Sequence, residues 1–306
     1  MGKEIENTGF GDESSQNFKR IINADGTYNI KKIGATANWK DTYKYLVEIS
    51  WTKFLLLLFS SYVFLNVIFS ILYLLIGYSN ISGINDQNGS VFMQVFFFSV
   101  QTFTTVGYGV MAPTGFWTQM MASVEAFTGF LSFSLMTGLL YGRFSRPVAK
   151  IIFSANAIIA PYGNKRSLQV KIANERDNVL MEVKAKIILV FDKTEADGSL
   201  KKQYFKLPLE ISEVSLLPLS WTLVHAIDED SPFYEKNEDE IAKLHSEILV
   251  IVSGYDEVFS QEINARKSYY HTELAWNRKF KKIFAPDKEG NLVIDLSDLN
   301  QTENLN

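Results

Sequence analysis

From Phe54 to Ile76 the chain reads FLLLLFSSYVFLNVIFSILYLLI without one charged residue. At about 1.5 Å of rise per residue, a helix of that length crosses a hydrocarbon core of about 30 Å. A helix apolar on every side has no polar face to turn to water, so it belongs in a membrane or in the core of a much larger domain. A second apolar stretch runs from Phe116 to Phe144 and contains Gly129 and Gly138, which membrane helices tolerate better than soluble ones. Two spans are therefore expected, an outer helix over 54–76 and an inner helix over 116–144. The mean hydropathy near zero hides them, because polar flanks balance the apolar third of a 306-residue chain long enough for two domains.

No Lys or Arg occurs between Phe54 and Gly142, whereas Lys40, Lys44 and Lys53 precede the first span and Arg143, Arg146 and Lys150 follow the second. The positive-inside rule then predicts a multi-pass protein of the cell (inner) membrane with both termini in the cytoplasm. Residues 1–38 are polar, lack the short apolar core of a secretory signal, and read as a cytoplasmic tail. The next segment, 39–50, is too charged to cross but carries Trp39, Tyr43, Leu46 and Val47 near helical spacing, which suits a helix lying along the inner interface. A net charge of −4 argues against nucleic acid as a partner. With no cysteine there is no disulfide, no thiolate chemistry and no Cys-rich zinc site. No nucleophile–base pair or cofactor motif marks an enzyme; GxGxxA at Gly107, Gly109 and Ala112 has the form of a dinucleotide fingerprint but lacks the strand that must precede one.

Between the spans a polar stretch, Ser79 to Ser90, leads into an apolar run, Val91 to Phe103, too short to cross. It reads as a re-entrant pore helix over 91–103, and non-helical backbone at that depth must be buried in protein or face a water-filled cavity. Thr104-Thr105-Val106-Gly107-Tyr108-Gly109 follows at once. A dehydrated potassium ion needs fixed oxygens in place of its water shell, and consecutive carbonyls directed at one axis supply them. Gly107 and Gly109 can take positive φ, which lets successive carbonyls turn the same way. The expected K+ ligands are the carbonyls of Thr105, Val106, Gly107 and Tyr108 within a filter over 105–109, with the Thr105 hydroxyl closing the inner site and Val106 and Tyr108 packing behind. One chain supplies one side of such a filter, so the function requires symmetric assembly about the pore. The pore helix would aim its partially negative C-terminus at the cavity and favour a cation there.

After Pro147 the pattern changes to short alternating runs: SLQVKIA from Ser167, VLMEVKAKIILVF from Val179, QYFKLPLEI from Gln203, EILVIVSGYD from Glu247 and EINARKSYY from Glu262. With turn signals such as Asp197-Gly198 they predict a β-sandwich over 154–298, joined by a linker over 147–153 and followed by a tail over 299–306. Only Glu238 to His245 looks helical. Asp228-Glu229-Asp230 before Ser-Pro reads as turn chemistry rather than a cation site, and His225, His245 and His271 have no metal-ligand spacing.

These features together resemble the inward-rectifier potassium channels, particularly their prokaryotic branch, over about Trp39 to Asp295. The resemblance rests on the filter, on FSRP at Phe144 to Pro147, on QVKIANERDN at Gln169 to Asn178, on LSWTLVHAIDEDSPF at Leu219 to Phe233 and on QEINARKSYY at Gln261 to Tyr270. It implies a homotetramer, an interfacial slide helix, an immunoglobulin-like cytoplasmic sandwich and a gate where inner helices converge, near Leu139 and Tyr141. It further implies control by anionic membrane lipids such as phosphoinositides, at positions such as Lys53, Arg143, Arg146 and Lys150, with no cofactor beyond the permeant K+. The departures bear on the pore. Gln101 stands where many relatives have Glu, and Met111 where animal relatives have its Arg partner. Phe133 replaces the acidic residue of strong rectifiers, so weak polyamine rectification is expected. Glu125 could place a carboxyl group behind the filter. The competing arrangement is a β-sandwich sensor or scaffold that two spans anchor without conduction.

Overall fold

The computed structural model describes residues 13–14, 20, 22–23, 26–30, 33–34, 39–85, 89–145, 149–194 and 200–305. The chain divides into two compact units, one built on the helices between Trp39 and Phe144 and the other on β-strands.

The helical unit has four helices: α1 (Trp39–Glu48), α2 (Trp51–Ile76), α3 (Val91–Phe103) and α4 (Phe116–Phe144). The pore and inner helices occupy the ranges read from the sequence. The outer helix begins earlier, at Trp51, because nothing between Ser50 and Phe54 breaks a helix, and Lys53 therefore sits in its first turn. α2 and α4 are long and apolar enough to span a membrane, and α3 is not. Leu56, Phe59, Phe64 and Leu75 lie exposed on α2, as a lipid-facing helix requires. Phe69 and Tyr73 of α2 meet Val95, Phe98 and Phe103 of α3 and Ile81 in one apolar cluster. A two-residue pairing of Ile81–Ser82 with Ala112–Pro113 ties the segment before α3 to the one after the filter.

Among the described residues the β unit is built on two larger sheets, with two-stranded pairings beside them. One runs Glu13–Ser14, Leu200–Leu207, Leu180–Thr194, Glu247–Asp256, Gln261–Tyr270, with Glu213–Leu217 on the first half of the long central strand. The other runs Ser220–Ile227, Lys165–Asn174, Ala157–Tyr162, Leu274–Trp276, with Ile151–Phe153 on the end of Lys165–Asn174. Inward residues such as Leu168, Val170 and Ile172 alternate with outward ones, and meet Ile187, Leu189, Ile248 and Val250 of the other sheet. All pairings are antiparallel except Leu274–Trp276 with Ala157–Ile159, which is parallel. The expected helix at Glu238 is α5 (Glu238–Lys243), closed by a capping box in which Asn237 accepts from the Glu240 amide and the Glu240 carboxylate accepts from the Asn237 amide. The Asp197-Gly198 turn falls outside the described residues.

Three expected boundaries are corrected. Ile151–Phe153 pairs with Ile172–Asn174 and so belongs to the sandwich rather than to a linker over 147–153. Thr302–Asn304 pairs with Arg278–Phe280, so the expected tail over 299–306 carries a strand. The N-terminal stretch is docked as well. Ile22 is fully buried against Val190, Tyr204 and Leu249, and Arg20 donates to Ser268 O and pairs with Glu273 at 2.7 Å.

Candidate ion pore

α3 ends on Thr104, whose amide donates to Val100 O at 3.1 Å and whose hydroxyl donates to the same carbonyl at 2.6 Å. The next two amides still reach back into the helix, Thr105 N to Thr102 O at 3.1 Å and Val106 N to Gln101 O at 3.0 Å. From there the backbone alternates in hand: φ is +58° at Thr105, +51° at Gly107 and +83° at Gly109, while Val106 and Tyr108 keep negative φ. An ordinary β-strand points its carbonyls alternately to either side, whereas alternation of left- and right-handed residues carries them along one edge. Glycine takes the left-handed region freely. Thr105 does not, because a β-branched residue at positive φ is a genuine outlier costing about 1–2 kcal/mol. Sequence reasoning expected positive φ at the two glycines and named Thr105 as an ion ligand, but not its positive φ, for which residue type gives no signal. Every residue from Thr104 to Val110 is exposed on the single chain, Val106 by 54% and Tyr108 by 76%.

Behind this segment, Gln101 is half-buried and Met111 packs into the apolar cluster with Tyr73 and Phe98, so no ion pair spans these positions. Glu125 of α4 is fully buried and does not face lipid. It accepts the Tyr73 hydroxyl of α2 at 2.6 Å and the Ser99 hydroxyl of α3. Neither partner was legible as functional, since Ser and Tyr at isolated positions of apolar helices carry no pattern. Phe103, Thr104 and Thr105 open onto a cavity of about 520 Å³ that Tyr62, Phe133 and Leu139 also line, with no acidic residue in its wall. Leu139 is half-buried there, whereas Tyr141, two residues on and so about 200° round the helix, is exposed.

At the end of α4, Arg143 is already engaged. Its guanidinium donates to Leu46 O and Ile49 O, each at 2.6 Å, and lies over the rings of Trp51 and Phe54 at 4.6 and 4.4 Å. It clamps the end of α1 to α2 and α4 with two of the five N–H donors of its guanidinium. Lys53 stays exposed, Lys150 makes an exposed ion pair with Glu175 at 3.1 Å, and Arg146 lies outside the described residues.

Elsewhere the chemistry is structural. Asp228 O accepts from Ser231 N at 2.9 Å, closing the turn that Asp228-Glu229-Asp230 suggested. His225 is held between Pro208 O at 2.7 Å and Ser231 Oγ at 2.8 Å, and its desolvation pushes its pKa below the ordinary value. Among the described residues no cluster of His, Asp or Glu could hold a metal ion.

Known proteins decide the family. The sequence profile of the inward rectifier potassium channel C-terminal domain matches residues 151–306, and an ion channel profile matches residues 58–146. The inward rectifier potassium channel Kirbac3.1 of Paramagnetospirillum magnetotacticum is 32% identical over 92% of this chain and 95% of its own length. The chain belongs to the inward rectifier potassium channel family. More distant relatives include the G protein-activated inward rectifier potassium channels 2 and 4 of Mus musculus, 24% and 26% identical over 95% and 96% of this chain and 73% and 75% of their own. This inward rectifier is thus a membrane ion channel and not an enzyme, with two transmembrane helices, a short pore-region helix and a β-rich C-terminal domain.

Proposed function

We propose that four copies of this chain form a potassium-selective pore in the cell membrane, with both termini cytoplasmic and the carbonyls of Thr105, Val106, Gly107 and Tyr108 as the ion ligands. The observation that carries this reading is the alternating hand of the backbone at Thr105, Gly107 and Gly109, which sets carbonyls on one edge at the end of a helix too short to span. The exposed Val106 and Tyr108 side chains are the apolar surface that neighbouring subunits would cover. Arg and Lys on both flanks of the spans and none between them support the topology.

The gate lies at the cytoplasmic end of α4. Of its two candidates, exposed Tyr141 is free to meet its symmetry mates, while Leu139 supports the helix by packing into the cavity wall. A ring of tyrosines closes a pore by contact and by dewetting. Anionic headgroups, phosphoinositides among them, are met by Lys53, Arg146 and Lys150, each contributing about 1 kcal/mol near the surface.

Rubidium uptake into liposomes holding the purified protein tests the reading. Uptake that barium blocks and that external potassium, but not sodium, competes away is the expected result. Uptake indifferent to barium, or competed equally by both ions, would refute it. Added anionic lipid should change the uptake rate, and Lys53→Gln should weaken that response.

A further inference from the structure

We infer that Glu125, through Ser99 and Tyr73, is the positioning group that fixes the filter in this chain, an inference that rests on reading residues 105–109 as that filter. Relative to a pore helix that hangs from its own ends, α3 is held here by two rungs against α4. In the first, the Ser99 hydroxyl donates to a Glu125 carboxyl oxygen. In the second, the Phe103 carbonyl comes so close to Gly129 that no side chain fits between. Ser99 and Phe103 are one helical turn apart on α3, and Glu125 and Gly129 are one turn apart on α4. The rungs therefore stack along a single seam that ends two residues before Thr105.

The other carboxyl oxygen of Glu125 accepts the Tyr73 hydroxyl at 2.6 Å, which brings α2 into the same knot. The Tyr73 ring also meets Phe98 edge-on, with centroids 5.1 Å apart. Asn66 lies beside the knot rather than in it: its backbone and side-chain oxygens are 3.2 and 3.1 Å from the Ser99 oxygen, whose single proton goes to Glu125. Asn66, Tyr73, Ser99 and Glu125 are all completely buried. Four positions of polar chemistry in the apolar interior of three helices are costly unless they are partnered, and Tyr73, Ser99 and Glu125 find their partners on different helices. That makes the knot a spacer of defined length rather than a local backbone bond, and Gln101 and Met111 offer no ion pair to do the same work.

A positioning role predicts a selectivity change, which a merely stabilising role does not. The readout is the ratio of sodium to potassium needed to halve rubidium uptake into liposomes holding the full-length protein. Ser99→Ala removes one oxygen and should lower that ratio about tenfold, the equivalent of one hydrogen bond to a polar buried group. Tyr73→Phe should lower it less, since the ring packing stays. Glu125→Gln keeps an acceptor and should retain most discrimination, whereas Glu125→Leu should lose it. Ser70→Ala is the control: its hydroxyl donates to Asn66 O at 2.6 Å in the same buried region without touching Glu125, and its ratio should match wild type. Wild-type discrimination in both Ser99→Ala and Tyr73→Phe would overturn the inference, as would an equal loss in Ser70→Ala. Failure of Ser99→Ala and Tyr73→Phe to assemble, with Ser70→Ala assembled, would assign the knot to folding and overturn it too. A wild-type protein without barium-sensitive uptake would remove the filter reading itself.

Discussion

Three glycines on α4 make a graded test of how closely the helical unit is packed. A Cβ built on Gly129 would lie 2.0 Å from Phe103 O, 2.8 Å from Phe103 C and 3.1 Å from its Cα. All three atoms are backbone, so no rotamer change can relieve the contact. Real Cβ atoms essentially never approach a heavy atom closer than 3.0 Å, which leaves Gly129→Ala about 1 Å short of room. α3 and α4 must then part by about that amount where α3 hands over to the filter. Forcing one methyl into a packed interior costs about 1–3 kcal/mol, and the displacement falls two residues from Thr105. We expect Gly129→Ala to lower the thermal midpoint of the purified oligomer by several degrees and to admit sodium as a competitor of rubidium uptake. Gly138→Ala has nothing within 4 Å and should behave as wild type. Gly142→Ala meets the Tyr43 hydroxyl at 2.6 Å, the far end of a side chain that can swing aside, and should fall between the two. If Gly129→Ala and Gly138→Ala prove indistinguishable in melting and in ion competition, the close approach of the two backbones is wrong.

Arg143→Ala removes two hydrogen bonds from a charged donor, about 1.5–3 kcal/mol each before compensation, and two ring contacts; a net loss of about 3 kcal/mol is expected in thermal unfolding. Arg143→Lys should recover less than half of that loss, because one ammonium cannot span both carbonyls. Phe133→Asp puts a carboxylate in the cavity wall and should create voltage-dependent spermine block in planar bilayers, whereas strong block of the wild type at micromolar spermine would sink the account of its weak rectification. His225 tests linkage: burial lowers its pKa, with Pro208 O, Asp228 and Glu210 pulling the other way less strongly. A depressed histidine takes up its proton in the unfolded chain before the folded one, so stability is full above the ordinary value of 6.5 and falls as pH drops through it. Thermal unfolding from pH 7.5 to 5.5 should show this slope, and His225→Asn should flatten it.

The helices were legible because a membrane imposes a single demand on length and charge, and the sequence from Val91 to Phe144 meets it without local conflict. The strands were legible where period-two alternation was strong, as in Leu180–Thr194 and Glu247–Asp256. The boundaries failed where a strand is made by its partner. Ile151–Phe153 and Thr302–Asn304 are each three residues long and have no alternation to display; they are strands because Lys165–Asn174 and Arg278–Phe280 present free edges to them. The N-terminal segment was read as a tail for the same reason, since its attachments are scattered single residues and one short pairing, Glu13–Ser14, Arg20, Ile22 and Gly26 among them, whose partners lie more than 160 residues along the chain.

A similar division runs through the pore. The proposed filter is written in consecutive residues, because its chemistry is backbone chemistry and the constraint on each φ falls on the residue that bears it. The contacts between the helices are written in pieces: Tyr73, Ser99 and Glu125 come from three helices, and Arg143 donates to carbonyls nearly a hundred residues upstream. Charge and the family resemblance together pointed Arg143 at lipid, since a basic residue at a membrane edge suits a headgroup whether or not a helix end also engages it. The structure adds a second task, since two of the five donors are used inside the chain. A residue that joins the interfacial helix to the inner helix so directly would transmit any lipid effect on α1 to the Tyr141 end of α4 without binding the lipid itself. Charge-reversing a lysine and breaking the Arg143 clamp should therefore be non-additive in their effects on lipid-dependent uptake: with the clamp removed, Lys53→Glu should change the lipid response little, and full additivity of the two substitutions would place Arg143 outside the coupling.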